Sequence, residues 1–178
     1  MKRISDQMEQ LLNRQMTREA YQAQVYLSYG AWAEENSFPG VATFLYGHMQ
    51  EEREHMFKIL KYIIDRGGKV NIEAIKAAPV HPNDIGECLH NILQHEIENS
   101  KQIDNIVKLA HEESDWATFN FGQWFVKEQI EEETLINSVI DKYNLASTKI
   151  EGNHNLYELD KDLATAPQEA TTPRDETI

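Results

Sequence analysis

The sequence predicts an all-α fold: a four-helix bundle with a long crossover between its second and third helices and a short fifth helix near the C-terminus. Three observations predict it. Apolar residues recur at alternating spacings of three and four through four long stretches, the period of a helix that buries one face. The first and third connections between these stretches are short enough to join antiparallel neighbours, whereas the second is long enough to run back along the bundle. Glycine and proline, 8 and 5 of 178 residues, are too few to break the long stretches up.

Helix A opens at Asp6, which has with Glu9 the spacing of a capping box, and continues to Asn36 with Gly30 as its one glycine. Its inward stripe reads Leu12, Met16, Glu19, Ala23, Tyr26, Gly30 and Ala33. A turn over Asn36, Ser37, Phe38, Pro39 and Gly40 places proline near the start of helix B, which runs to the Gly67-Gly68 stop. The stripe of B is Val41, Leu45, His48, Glu52, His55, Ile59 and Tyr62.

From Gly67 to Pro82 there are two glycines, two prolines and one brief apolar patch around Ile72 and Ile75. A helix of about 28 residues is about 42 Å long, and about 16 extended residues span roughly 50 Å. The crossover can therefore run the length of the bundle and leave helix C parallel to B. Asp84 with Glu87 forms a second capping box, and C carries the stripe Ile85, Leu89, Ile92, Glu96, Ser100, Ile103, Val107 and Ala110. After Glu113-Ser114-Asp115, with Asp115 as cap, helix D extends to about Asn144 with Phe121, Phe125, Gln129, Glu132, Ile136, Val139 and Tyr143 inward. Asn155 to Leu163 reads as the short fifth helix. Residues 1–166 then form one domain, and 167–178, rich in Thr, Pro and acids, form a disordered tail.

A formal net charge of -13 argues against nucleic acid or an anionic membrane as partner and mildly favours cations. The N-terminus turns polar at once, and no apolar run could serve as a signal peptide or span a bilayer, so a soluble cytoplasmic protein is expected. Cys88 is the only cysteine, which excludes an intrachain disulfide and a thiolate metal cluster; it reads as a small helix residue.

The stripes carry charges at one depth. Glu19 lies near the middle of A, Glu52 near the middle of B, Glu96 near the middle of C, and Gln129 with Glu132 near the middle of D. In an antiparallel bundle the midpoints of equal helices meet whichever way each runs. No lysine or arginine lies on any stripe, and four buried carboxylates left ionised and unpaired would cost several kcal/mol each. They must be protonated, hydrated or bound to cations, and two divalent ions would cancel the four charges. Glu52 and His55 share a helix face, and one imidazole among oxygen donors suits iron or manganese, with zinc admissible. Any one of these acids read alone is as well explained by a boundary residue that reaches solvent; four at one depth are not. His48 reads as a satisfied core histidine without metal, and His90, His95, His111 and His154 show no ligand spacing. Glu51, Glu128 and Glu131 flank the convergence as either a solvated face or a further, more exposed cation site.

Glu19 and Tyr26, the Glu-Glu-x-x-His run ending at His55, Glu96, and Glu128-Gln129-Ile130-Glu131-Glu132 together give the chain its resemblance to the bacterial non-haem ferritins, from helix A through the fifth helix. Ferritin-like bundles are themselves a standard example of such carboxylate sites. The resemblance implies iron held by Glu19, Glu52 and His55, and a second iron held by Glu52, Glu96 and Glu132 with Gln129 beside the pair. It implies a third iron at Glu51, Glu128 and Glu131, with Glu132 open to sharing, and Tyr26 or Trp124 as electron sources. It further implies oxidation of Fe(II) by O2 or H2O2, ferric mineral storage, and a shell of twenty-four subunits whose fifth helices line four-fold channels. Haem is not expected, because Arg53 stands where bacterioferritins place the haem methionine and helix D lacks their second Glu-x-x-His. Phe119 and Gly122 replace the acids that line three-fold channels in animal heavy chains, which leaves the iron entry route open. The competing readings are a di-iron oxygenase or peroxidase and a metal-buffering bundle without turnover.

Overall fold

The computed structural model describes residues 1–147 and 152–165. It contains α1 (Asp6–Glu35), α2 (Pro39–Asp65), α3 (Ile85–Glu112), α4 (Trp116–Ser147) and a short α5 (Gly152–Ala164), with no strand among the described residues. The all-α bundle, its long second connection and its short fifth helix are as expected. α4 continues past Asn144, and α5 starts before Asn155. The expected tail from Pro167 lies outside the described residues.

The helix ends explain themselves from sequence, with corrections. Ser5, not Asp6, caps α1, its hydroxyl accepting the Met8 amide at 3.0 Å. Glu9 is drawn off to the crossover, where its Oε2 accepts the Lys69 amide at 2.8 Å. Asp84 caps α3 by accepting the Glu87 amide, but Glu87 reaches back to Asn83 rather than to its cap residue. Asp115 opens α4, accepting both the amide and the hydroxyl of Thr118. α1, α2 and α3 all stop with the paired backbone bonds of a Schellman motif. The left-handed residue is Gly67 after α2 but Ser37 and Ser114 after α1 and α3. α2 has no side-chain cap from its own N-terminus. The Val41 amide donates instead to Asp160 Oδ1 of α5 at 2.8 Å, and a Cβ at Gly40 would lie only 1.7 Å from the Asp160 carbonyl oxygen.

The crossover is tied along α1. Asn13 Nδ2 donates to the Lys69 carbonyl and Asn13 Oδ1 accepts from the Asn71 amide; further on, Gln24 Nε2 donates to the Lys76 carbonyl and Ser28 Oγ meets His81 Nε2. The chain thus climbs from the start of α1 toward its end. It delivers α3 parallel to α2 and antiparallel to α1, and α4 returns against α3.

The core is in two apolar halves. Tyr29, Leu45, Leu89, Ile136 and Leu159 belong to one, and Met8, Leu12, Ile59, Ile63, Ile103 and Phe125 to the other. The stripes drift where a straight helix departs from a strict heptad: Asn99 and Ile106 are buried rather than Ser100 and Val107, and Ile63 rather than Tyr62. A polar layer separates the halves.

Candidate metal centre

That layer contains the residues expected to converge. Glu19 and Glu96 are fully buried, and Glu52, His55, Gln129, Glu132 and Tyr26 are each less than a tenth exposed. Among the described residues no lysine or arginine is buried with them. Glu128 is also buried, whereas Glu51 and Glu131 are half-buried, as a flanking position requires.

The donor atoms of Glu19, Glu52 and His55 all lie within 4.8 Å of one another, with His55 Nδ1 3.4 Å from Glu52 Oε2. α1 supplies Glu19, and one turn of α2 supplies the other two because residues three apart share a face. The second expected set is not gathered in the same way. Glu96 is clamped, accepting Tyr26 Oη at 2.6 Å and Gln22 Nε2 at 3.1 Å on Oε1, and Gln129 Nε2 at 3.1 Å on Oε2. Glu132 turns away toward His48, whose Nδ1 lies 3.3 Å from Glu132 Oε2 and 3.1 Å from Glu51 Oε2. Glu51 therefore groups with His48 and Glu132, while Glu128 Oε1 lies 3.9 Å from His55 Nε2 and Glu131 pairs with Lys127.

Buried amides do the work that cations would do in an ordinary ion pair. Gln15 Nε2 donates to Glu19 Oε1 at 2.7 Å and to Asn99 Oδ1 at 2.6 Å. Asn99 Nδ2 reaches Glu19 Oε2 and Gln129 Oε1, and Gln22 Nε2 spans Glu52 and Glu96. Gln15, Gln22, Asn99 and His48 were not expected in the site. Gln15 and Gln22 bracket Glu19 at helical spacing, and Asn99 follows Glu96 by one turn, a spacing that by itself does not set them apart from amides on a solvated face. Such amides carry no charge, so they temper the carboxylates without neutralising them. Four buried oxygens, Gln15 Oε1, Gln22 Oε1, Glu52 Oε2 and Glu132 Oε2, still accept no hydrogen bond.

The electrostatics follow. Burial, then repulsion from Glu52, holds the Glu19 carboxyl well above its ordinary range. Burial and the Glu96 charge push Glu52 up to about 8, and burial with Glu132 pushes Glu96 to about 7. Burial chiefly, and then Glu96, raises the Tyr26 hydroxyl. For His48, burial works downward but is outweighed by Glu132 and Glu51, which raise it to about 10; Glu132 is lowered in turn, His48 prevailing over its burial. Oxygens that accept no hydrogen bond, raised carboxyls and two nearby imidazoles, His55 and His48, make a donor set matched to divalent cations with a preference for oxygen and nitrogen. Aromatic rings shape its edges: Tyr26 stacks on His48, Trp124 meets His55 edge-on at 5.4 Å, and Lys58 lies over Trp124. An open groove of about 360 Å³ between α3 and α4 reaches Gln129 from outside.

Residues 9–146 match the family described as Ferritin, a ferritin-like domain. A probable bacterial non-heme ferritin-like protein of Haemophilus influenzae is 36% identical over 167 residues, covering 94% of this chain and 99% of that protein. A bacterial non-heme ferritin of Escherichia coli is 36% identical over 162 residues, 91% of this chain and 96% of its own. Among solved structures, an open pore ferritin from the hyperthermophilic archaeon Archaeoglobus fulgidus superposes with a TM-score of 0.88 at 32% identity, over 93% of this chain and 99% of the other.

Proposed function

Because the chain belongs to the ferritin family, we propose that it stores iron, oxidising Fe(II) as its substrate at the buried carboxylate layer and holding the Fe(III) product inside a shell of like subunits. The observation that carries this reading is the layer itself: carboxylates from four helices between two apolar halves, with no lysine or arginine buried among them in the described residues and with carboxylate oxygens that accept no hydrogen bond. A bundle maintained for stability alone would fill that level with apolar side chains, since burying unpaired acids is costly.

Glu19, Glu52 and His55 hold the first Fe(II). Glu52 bridges to a second Fe(II), for which Glu96 and Glu132 are the further ligands and Gln129 the neighbour. Each Fe(II) gives one electron to O2 or H2O2, and the hard oxygen ligands suit the ferric product. Tyr26, hydrogen-bonded to Glu96, and Trp124, packed on His55, are placed to supply further electrons. The closeness of the first triple, against the clamped Glu96 and averted Glu132, supports loading of the Glu19 position before its partner.

The test is aerobic addition of Fe(II) with ferric absorbance followed in time. Glu52→Ala and His55→Ala are expected to slow the initial rise by at least about tenfold, as loss of a metal ligand should. An unchanged initial rate in both variants would remove the layer as the site of oxidation.

A further inference from the structure

We propose that Arg18 and Asn99 are positioning residues for the cation held by Glu19: Arg18, from outside the polar layer, fixes the orientation of the Asn99 amide, and Asn99 holds Glu19 and Gln129 in place. The inference rests on the reading of Glu19, Glu52 and His55 as a cation site. Arg18 is half-buried on α1 and reaches across to α3, where its Nε donates to Asn99 Oδ1 at 3.1 Å and its Nη2 to the His95 carbonyl at 3.0 Å. Asn99 has no exposed surface. Its Oδ1 also accepts from Gln15 Nε2 at 2.6 Å, and its Nδ2 donates to Glu19 Oε2 at 3.3 Å and to Gln129 Oε1 at 3.1 Å.

The chemistry of the donors decides which way this network points. A guanidinium has donors and no acceptor, so its partner on Asn99 must be the oxygen, which leaves the Asn99 nitrogen facing the layer. Reversing that amide would set nitrogen against the Arg18 and Gln15 donors and oxygen against Glu19 and Gln129, with several buried hydrogen bonds lost. Gln129 is directed in turn: its Oε1 accepts from Asn99, so its Nε2 donates to Glu96 Oε2 at 3.1 Å. Asn99 and Gln129 therefore each present N–H to a carboxylate proposed to hold iron. A cation arriving at Glu19 draws on that carboxylate, but the bonds from Arg18 lie outside the layer. Asn99 keeps its aim in the empty site and in the loaded one. Hydrogen bonds of this kind, one step behind a ligand, fix its orientation and tune its affinity for metal. The outer end meets solvent, because Arg18, Tyr21, Lys76 and His95 line an open groove of about 490 Å³ between the crossover and α3.

Co(II) alone, titrated into the assembled, metal-stripped protein, tests the network without any oxidation, because its visible d–d bands report ligand geometry as well as binding. Asn99→Leu, which keeps the volume and removes the amide, is expected to weaken Co(II) binding at Glu19, Glu52 and His55 by about tenfold and to shift the bands. Arg18→Met, which keeps the stem and removes the donors, is expected to shift them the same way with a smaller loss of affinity, and to add nothing in the Asn99→Leu background. Wild-type bands and affinity in Arg18→Met, or an equal effect of Arg18→Met with and without Asn99, would overturn the proposal. So would a lower melting temperature in Arg18→Met with the bands unmoved, since Arg18 would then only tie α1 to α3. Arg18→Met, at a half-buried position, carries the test by itself if Asn99→Leu does not fold. Glu52→Ala separates this from the wider reading. Bands that survive in Glu52→Ala would remove the layer as the cation site and the network's role with it, whereas bands lost there but unchanged in Arg18→Met would overturn the network alone.

Discussion

Glu52, Glu96 and His48 are all pushed toward higher pKa, two by burial beside like charges and the third by carboxylates that outweigh its burial. A group that binds protons more tightly folded than unfolded favours folding at low pH and loses that contribution as pH rises. For Glu52 the loss runs from its unfolded value near 4.5 to about 8, for Glu96 to about 7, and for His48 from 6.5 to about 10. Glu132 is lowered, so its contribution is lost only as pH falls below the ordinary carboxylate range. Metal-stripped protein is therefore expected to melt at progressively lower temperature between pH 5 and pH 8, and Glu52→Gln to flatten that slope. A midpoint that rises across this range in the stripped protein would contradict the placement of these groups. The carboxylates were legible in the sequence because an acid on an apolar stripe breaks a period. The amides were not, because a glutamine or asparagine beside such a stripe is ordinary in a solvated helix face. His48 reads in the sequence as a satisfied core histidine, and the structure buries it so; its partner Glu132 could not be named from the sequence because it approaches from another helix.

At the scale of elements, period and punctuation settled the fold. Pro39 at the first turn of α2, Gly67-Gly68 at its end, and Asp84 and Asp115 at the starts of α3 and α4 sit where local chemistry puts them. The capping of α2 was hidden, because its partner, Asp160, is 119 residues away along the chain. Asp160→Ala should cost about 1 kcal/mol, as loss of an N-cap acceptor does, and Asp160→Asn should recover most of it because an acceptor oxygen remains. Gly40→Ala should be more severe, since its methyl group would collide with the Asp160 carbonyl and lift α5 away. Amide exchange reads both: faster exchange at Val41 in Asp160→Ala, and loss of protection through α5 in Gly40→Ala. Equal protection of α5 in Gly40→Ala and wild type would show that α5 does not need this contact.

The whole molecule leaves apolar surface that one subunit does not cover. Leu27, Phe57 and Ile64 on α1 and α2, Ile72 and Val80 on the crossover, and Trp116, Ile130 and Leu145 on α4 are all well exposed, Val80 at 90%. Single exposed apolar residues are normal, but two on one extended crossover are better explained by burial in an assembly. With a net charge of -13, subunits at low salt repel one another unless specific contacts prevail. The expected outcome is a closed assembly many times the 20.6 kDa subunit, with twenty-four copies the proposed number, seen as one sharp species in sedimentation velocity. Ile72→Lys/Val80→Lys should yield smaller species by placing charge on a surface meant to be covered, while circular dichroism shows the bundle still helical. Smaller species would still bind Fe(II), because every proposed ligand comes from one chain, but ferric product would precipitate rather than remain soluble. A wild-type monomer at micromolar concentration would sink the storage reading while leaving the proposed iron ligands within one chain standing.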